Sequence, residues 1–188
     1  MSVSTVVEWP SMENAKVILV NEQGQICGTS DTLEAHTGEG KLHKAFSVYV
    51  FRDHRREILI QRRSRKKMLW PMIWANTCCS HLRDGETLCE AGEKRLKEEM
   101  GFTCMLTEGS SFVYREEDPS HNGVEHEHVT ILIGDVGDVE DVRVVPDPDE
   151  VAEYEWVNIE ALLLGMKKDP HEYAPWFHLG LQKILAEQ

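Results

Sequence analysis

The fold is decided by one stretch of sequence, ETLCEAGEKRLKEEMGF at residues 86–102. Thr87 and Glu90 have capping-box spacing, in which each side chain satisfies a free N–H at a helix start. One packing stripe is predicted by residues that recur every four positions: Leu88, Gly92, Leu96 and Met100. Gly101 supplies the C-terminal stop. The pattern predicts a helix over Thr87–Met100.

Apolar runs on both sides of this helix predict strands, at Lys16–Asn21, Phe46–Phe51, Glu57–Gln61, Ser111–Arg115, Val129–Val136 and Ala152–Val157. The charged stretch Arg52–Arg56 predicts a hairpin between two of them. Asn158 can cap a helix through Met166, and Pro175 opens a last helix toward Gln188. Many short strands with one central helix and helices at the end indicate an α+β domain.

Composition indicates a globular protein. The chain has 188 residues, 41% of them hydrophobic and 28% charged, which is enough to bury a core. We expect a flexible tail at residues 1–14, which lacks signal-peptide features, and one domain at 15–188. No apolar run approaches the roughly 20 residues that span a bilayer. The odd number of cysteines and the absence of a CxxC pair favour a reducing, cytoplasmic location.

Charge is distributed unevenly along the chain. The net charge of −13 disfavours nucleic acid and anionic membranes as partners. The segment at residues 52–67 is instead positively charged, because it contains eight cations: Arg52, Arg55, Arg56, Arg62, Arg63, Arg65, Lys66 and Lys67. Two interpretations stay open for it: a site for a small, strongly anionic ligand, or a solvated hairpin face.

Two carboxylates fall on one face of a predicted strand. In VEHEHV at residues 124–129, Glu125 and Glu127 share the face of Val129, whereas His126 and His128 take the other face. Carboxylates at the mouth of a core-directed face are costly unless they are paired or bound to metal. The alternative is that the pair lies beyond the strand end, in water.

Other imidazole and thiol groups are scattered. Three histidines have no compact ligand spacing such as HExxH: His36, His43 and His81. Each alone is typical of a surface or core histidine, and a metal site would require the fold to gather distant segments. We interpret Cys78 as a small buried hydrophobe. Cys79, two residues before His81, is a candidate acid or base.

The segment at 86–102 resembles the Nudix box, G-x5-E-x7-R-E-U-x-E-E-x-G-U, where U is a bulky apolar residue. With Gly101 as its last glycine, Glu86 and the pair Glu98-Glu99 fall on glutamate positions. The match fails at the R-E pair, which falls on Lys94-Arg95, and at the opening glycine, which falls on Ser80. An arginine in place of a metal-binding glutamate repels metal and suits a diphosphate. This pattern predicts a Nudix-like scaffold without hydrolase chemistry.

Several segments together resemble the type I isopentenyl diphosphate isomerases, over roughly residues 16–180. They are AHT at 35–37, LHKAFS at 42–47, WP at 70–71, NTCCSH at 76–81, EEMG at 98–101, Tyr114, EHE at 125–127 and PWF at 175–177. The resemblance implies a Nudix-like α/β/α sandwich with a mixed sheet. It also implies interconversion of isopentenyl and dimethylallyl diphosphate through a tertiary carbocation, an early step of isoprenoid biosynthesis.

The resemblance also implies a ligand set for a buried divalent metal, composed of His36, His43, His81, Glu125 and Glu127. Three imidazoles and two carboxylates suit zinc, manganese or iron better than calcium. Glu99 would bind a magnesium ion that accompanies the substrate diphosphate. Arg63, Lys67 and Arg95 would grip that diphosphate.

For the reaction itself, the resemblance implies that Cys79 and Glu127 act as an acid–base pair on opposite faces of the substrate. Tyr114 would hydrogen-bond Glu127 and relay the proton. Trp176 would turn its π face to the carbocation, an interaction worth about 2 kcal/mol when desolvated. Trp74 is either a second wall or an ordinary core residue. The expected partner is the small-molecule substrate, bound by a monomer or weak dimer.

The chain departs from this family at a few positions. Some relatives have a diphosphate-binding lysine where Thr32 stands, a glycine at Ser80 and a proline at Leu82, and none of these changes removes a proposed catalytic group. Two other functions compete. A Nudix-type diphosphate hydrolase is favoured by Glu98-Glu99 and opposed by Lys94-Arg95. A metal-stabilised binding domain would leave Trp176 and the paired carboxylates unexplained.

Overall fold

The computed structural model describes residues 15–83, 85–138 and 142–187. The strands in this part are β1 (Lys16–Val20), β2 (Ile26–Asp31), β3 (His43–Arg52), β4 (Glu57–Arg63), β5 (Trp74–Ala75), β6 (Cys78–His81), β7 (Leu106–Glu117), β8 (Val124–Asp135) and β9 (Val151–Asn158). The helices are α1 (Thr32–Ala35), α2 (Leu88–Met100), α3 (Ile159–Lys168) and α4 (Pro175–Ala186), with a 3-10 turn at Pro170–Glu172. The tail expected at 1–14 lies outside the described residues.

Strand β3 is the centre of a mixed sheet. It pairs in parallel with β8 and antiparallel with β1, β4 and β6. β7 extends the sheet beyond β8, β9 and β5 pair with β4, and β2 pairs with β1. The predicted hairpin is confirmed, since Arg52 of β3 pairs with Glu57 of β4.

Side-chain alternation along β3 builds two cores. Tyr49 and Phe51 lie in a cluster with Phe177 of α4, on one face of the sheet. Val48 and Val50 lie in a second cluster with α2, on the other face. The sheet is therefore covered by helices on both sides, and the predicted α+β fold with α/β/α layers is confirmed.

Helix α2 begins and ends as its sequence predicts. Thr87 Oγ1 accepts from the backbone N–H of Glu90, and the Glu90 carboxylate accepts from the N–H of Thr87. Gly101 ends the helix in the left-handed region, at φ 79°. Gly92 lets the helix approach the sheet, because an added Cβ would lie 2.6 Å from a methyl carbon of Leu132.

Three strands were not predicted: β2, β5, which has only two residues, and β6. β2 is an edge strand with mostly exposed side chains, so it has no apolar alternation. β6 has the sequence CCSH and is a strand because it pairs with residues 45–48 of β3. No helix among the described residues is long and apolar enough to cross a membrane.

Candidate active site

Sheet register brings the predicted site residues together at one end of β3. His43 begins that strand and pairs with Glu127 of β8. On its other edge, Ser47 pairs with Cys79 of β6. Tyr114 of β7 pairs with Glu127 from the far side. Three strands on both sides of β3 thus present polar side chains to one region.

The five predicted metal ligands form one cluster: His36, His43, His81, Glu125 and Glu127. One ligand atom from each lies within 4.8 Å of all the others. His81 Nε2 lies 3.1 Å from His43 Nε2 and 3.1 Å from Glu127 Oε1, and His36 Nε2 lies 3.1 Å from Glu125 Oε2. The distant segments that the sequence could not join are gathered by the fold.

Backbone carbonyls orient two of these imidazoles. His36 Nδ1 lies 2.7 Å from the carbonyl oxygen of Thr32, and His43 Nδ1 lies 2.7 Å from that of Lys41. Because a carbonyl oxygen only accepts, both Nδ1 atoms carry a proton, and Nε2 is the nitrogen that each ring turns toward the cluster. This is the usual support of a metal-binding histidine.

The cluster has unsatisfied acceptors that a cation would satisfy. Glu125 Oε2 is buried, and among the described residues its one neighbouring polar group is His36 Nε2, 3.1 Å away. The Nε2 lone pair of His43 faces His81 Nε2 at 3.1 Å, a close approach that a shared cation favours. A buried set of three imidazoles and two carboxylates therefore fits a divalent metal of the borderline-soft kind.

The pKa values of the cluster residues are shifted in opposite directions. Burial would raise the pKa of Glu127, but hydrogen bonds and charge from His43 and His81 hold it well below its usual range. Burial lowers the pKa of His81. The pKa of His36 is raised to about 9, because Glu125 outweighs the effect of burial. Glu127 is thus ionised at neutral pH.

A cavity of about 480 Å³ lies beside this cluster. Every predicted metal, catalytic and diphosphate-binding residue lines it, except His43 and Glu99. His43 is fully buried behind the cavity wall. The volume suits a small ligand with one anionic end.

Polar groups surround the Cys79 thiol. Its Sγ lies 3.2 Å from Ser47 Oγ, 3.1 Å from Asn76 Nδ2 and 3.2 Å from Asn76 Oδ1. Burial raises the pKa of this thiol to about 12, despite the opposing effect of those hydrogen bonds. The thiol therefore carries its proton at neutral pH. Cys78 is fully buried in the second core, as interpreted from the sequence.

Aromatic residues form the remaining wall. The Tyr114 hydroxyl donates to Glu127 Oε2 at 2.9 Å. Trp176 is buried, and the edge of Trp70 supports it at 5.4 Å between ring centroids. Trp70 has a positive φ of 46° and donates its backbone N–H to the buried carboxylate of Asp118 at 2.7 Å. Trp74 does not line the cavity and packs against the core.

Cations also line the cavity. Lys67 and Arg95 both form ion pairs with Glu150. Their positive charges hold the pKa of the Glu150 carboxyl at about 2, although burial would raise it. Arg63 donates to the backbone carbonyls of Leu69 and Trp70, and its guanidinium carbon lies 5.3 Å from the Trp176 ring centroid. Sequence reasoning missed Glu150, which nothing in its local pattern distinguishes.

Each of the two interpretations of the basic segment at 52–67 applies to part of it. Arg55 and Arg56 pair with Asp135 and Asp53 at the surface of the hairpin. Three later cations of the segment line the cavity: Arg63, Lys66 and Lys67.

Glu99 is buried one turn along α2 from Arg95. Its Oε1 accepts from Arg95 Nε at 2.6 Å and its Oε2 accepts from Gln61 Nε2 at 3.0 Å. Thr32, at the position of the family's lysine, is also buried, and its hydroxyl donates to the carbonyl of Ala15. The next residue, Lys16, lines the cavity.

The NUDIX domain family matches residues 41–177 of this chain. An isopentenyl-diphosphate Delta-isomerase of Nocardia farcinica is 41% identical over 160 residues, which cover 85% of this chain and 89% of the relative. A protein of the same name from Halorhodospira halophila is 38% identical over 167 residues, covering 89% and 93%.

Solved structures with low sequence identity have the same fold. A Deinococcus radiodurans protein superimposes with a TM-score of 0.59 at 21% identity, covering 82% of this chain and 90% of that one. A Nudix hydrolase from M. smegmatis, RenU, gives a TM-score of 0.54 at 18% identity, covering 92% and 93%.

Proposed function

Because this chain belongs to the isopentenyl-diphosphate Delta-isomerases of the NUDIX domain family, we propose that it interconverts isopentenyl and dimethylallyl diphosphate. One observation carries the proposal. Cys79, Glu127 and Trp176 line the same cavity as three cations, Arg63, Lys67 and Arg95. A thiol, a carboxylate and an aromatic ring suit an unactivated alkene, and the cations suit its diphosphate.

The reaction moves one proton onto the substrate and one proton off it. Addition of a proton to the terminal alkene carbon forms a tertiary carbocation, and loss of a proton from the neighbouring methylene forms the new double bond. Cys79 Sγ and a Glu127 oxygen are the two exchanging groups, each acting as acid in one direction and base in the other. The raised pKa of the thiol and the lowered pKa of the carboxyl leave the thiol protonated and the carboxylate ionised at neutral pH, so one group can donate a proton and the other can accept one.

Two aromatic residues assist these groups. Tyr114 donates its hydroxyl to Glu127 and relays the proton from that side. Trp176 offers its π face to the tertiary carbocation, an attraction worth about 2 kcal/mol in a water-free cavity.

The metal-ligand cluster would hold zinc, manganese or iron through His36, His43, His81, Glu125 and Glu127. A bound dication orients Glu127 and draws negative charge from its carboxylate. These residues fit that role because the imidazole Nε2 atoms already face the centre.

The substrate diphosphate binds to the cavity-lining cations Arg63, Lys67 and Arg95. Lys16 replaces the family lysine at Thr32, since it lines the same cavity. Glu99 is proposed to bind a magnesium ion that arrives with the diphosphate, which requires its bonds to Arg95 and Gln61 to open. We place the enzyme in the cytoplasm, with residues 15–188 as one domain and a monomer or weak dimer as its form.

An isotope experiment tests the reaction. Isopentenyl diphosphate is incubated with the enzyme and magnesium in deuterated water, and dimethylallyl diphosphate is analysed by mass spectrometry. Deuterium in this product supports isomerisation. Release of phosphate without deuterated product would instead show a hydrolase. In a separate folding and binding measurement, metal-dependent folding without diphosphate binding would show a binding domain.

Variants test the assigned residues. Cys79→Ser and Glu127→Gln are expected to lower kcat by at least about 100-fold with little change in substrate affinity. Arg95→Glu is expected to weaken diphosphate binding more than it lowers kcat. Near-normal turnover of Cys79→Ala would overturn the acid–base assignment.

A further inference from the structure

Asn76 does not line the cavity, yet its side chain contacts two residues that do. It is 0% exposed and lies between β5 and β6. Its Nδ2 and Oδ1 lie 3.1 and 3.2 Å from Cys79 Sγ. Its Oδ1 also accepts from the indole N–H of Trp176 at 3.1 Å. One amide therefore joins the thiol to the aromatic wall.

The orientation of this amide is determined by its partners. Nδ2 also donates to the carbonyl of Val48 at 3.0 Å and to that of Cys78 at 2.9 Å. Both partners only accept, so the nitrogen must face them. The indole N–H of Trp176 only donates, so the oxygen must face it. The amide is thus anchored to β3 and β6 and cannot flip without losing hydrogen bonds on both sides.

We propose that Asn76 is a positioning residue that fixes the Cys79 thiol and the Trp176 indole in one geometry. Cys79 belongs to the sheet and Trp176 to α4, and within the described part of the chain no hydrogen bond joins their side chains directly. Asn76 supplies that connection. This inference rests on the roles proposed above for Cys79 and Trp176.

The reaction geometry explains why such a connection affects turnover. The proton from Sγ must reach one face of the alkene while the indole faces the cation that forms. A displacement of about 1 Å between reacting groups can cost about 100-fold in rate. Asn76 makes no hydrogen bond or ion pair with Arg63, Lys67 or Arg95 among its described contacts, so diphosphate binding is expected to be preserved.

The chain offers a matched control at the next residue. Thr77 is also 0% exposed, and its side chain also binds the sheet backbone, accepting from Val50 N and donating to the carbonyl of Leu59. The described contacts of Thr77 include neither Cys79 nor Trp176. Thr77→Val therefore measures the cost of losing a buried structural hydrogen bond near the same site.

The first experiment compares Asn76→Ala with Thr77→Val by melting temperature, kcat and KM. We expect both to lower the melting temperature, and only Asn76→Ala to lower kcat by about tenfold or more, with KM changed less than about threefold. Equal kcat values in the two variants would show a merely structural role and overturn the proposal.

A second variant keeps the test valid if Asn76→Ala does not fold. Trp176→Phe retains an aromatic face but deletes the N–H that Oδ1 accepts. We expect kcat to fall in this single variant, which needs no change at Asn76. Where Asn76→Ala does fold, the double variant is expected to lose much less than the product of the two single effects. Strict multiplication of the effects, or wild-type kcat in Trp176→Phe, would contradict the coupling.

The same assays separate this inference from the proposed function. Wild-type enzyme that incorporates no deuterium would refute the isomerase itself. Wild-type incorporation, its loss in Cys79→Ala, and an Asn76→Ala variant equal to Thr77→Val would refute only the positioning role.

Discussion

At the scale of single residues, the site depends on groups that are buried but charged or polar. Cys79 and Glu127 line one cavity, yet the pKa of the first is raised and that of the second is lowered. Burial dominates for the thiol, whereas the imidazoles of His43 and His81 dominate for the carboxylate. The two groups therefore differ in protonation at neutral pH, as an acid–base pair requires.

Tyr114→Phe tests one hydrogen bond of this pair. It removes the hydroxyl that donates to Glu127 Oε2 and leaves the ring packing intact. We expect kcat to fall about tenfold, since one hydrogen bond to a charged group is worth roughly 1.5 kcal/mol or more. Steady-state kinetics check this result. Tyr154→Phe, at an exposed tyrosine outside the cavity, is the control, and equal kcat values would contradict the assigned role.

At the scale of elements, β3 and α2 determine where the site forms. β3 pairs with the strands that carry Cys79 and Glu127, and α2 carries Arg95 to the cavity. The end of α2 is fixed by Gly101, whose backbone is left-handed at φ 79°. The next chain segment packs there, because an added Cβ at Gly101 would lie 2.3 Å from the carbonyl oxygen of Val145.

Gly101→Ala is therefore expected to destabilise the protein by about 2–3 kcal/mol, measured by urea unfolding. Left-handed strain accounts for about 1 kcal/mol, and the contact with the Val145 backbone adds the remainder. Gly137→Ala is the matched control, since Gly137 has a φ of 67° and no atom of the described residues lies within 4 Å of an added Cβ. Equal losses of unfolding free energy in the two variants would show that the close contact with the Val145 carbonyl oxygen costs no stability.

At the scale of the whole molecule, the metal-ligand cluster joins segments that are far apart in sequence. Its ligands come from the end of α1, from β3, from β6 and from β8. A metal that binds only the folded state stabilises it, by about 2.7 kcal/mol when free metal is 100 times its Kd.

Removal of metal with a chelator is expected to lower the melting temperature by several degrees, as measured by differential scanning calorimetry. Readdition of zinc or manganese should restore it. Glu125→Gln weakens one ligand, so its melting temperature should respond less to chelator. An equal melting temperature of the wild-type protein before and after chelation would exclude a metal that links these segments.

Acid should destabilise the molecule through Glu150, which links Lys67 and Arg95 across the cavity. In the folded protein the pKa of Glu150 is lowered to about 2. The ionised carboxylate therefore adds its full contribution to the free energy of unfolding above the pKa of the unfolded state, and this contribution disappears as pH falls through 2. We expect the stability difference between wild type and Glu150→Gln to shrink by about 2 kcal/mol between pH 6 and pH 2.5. Urea unfolding at both values measures it, with Glu22→Gln as an exposed control. A constant difference would contradict the shift.

The sequence by itself determined those features that depend on neighbouring residues. Helix α2, its capping box and its glycine stop follow from local hydrogen bonds and backbone preference, and so they were predictable. The carboxylate face of Glu125 and Glu127 follows from strand alternation. The family resemblance then implied which residues bind metal and which are catalytic.

Only the tertiary structure decided which distant groups meet. His36, His43 and His81 have no common local pattern. β3 carries His43 and pairs with β6, which carries His81, whereas the carbonyl oxygen of His36 accepts from the backbone N–H of Val124 in β8. The contacts of Asn76 with Trp176 and of Glu150 with Arg95 depend on packing between layers. Spacing along a chain reports helix and strand faces, whereas contacts between layers depend on how the whole sheet folds.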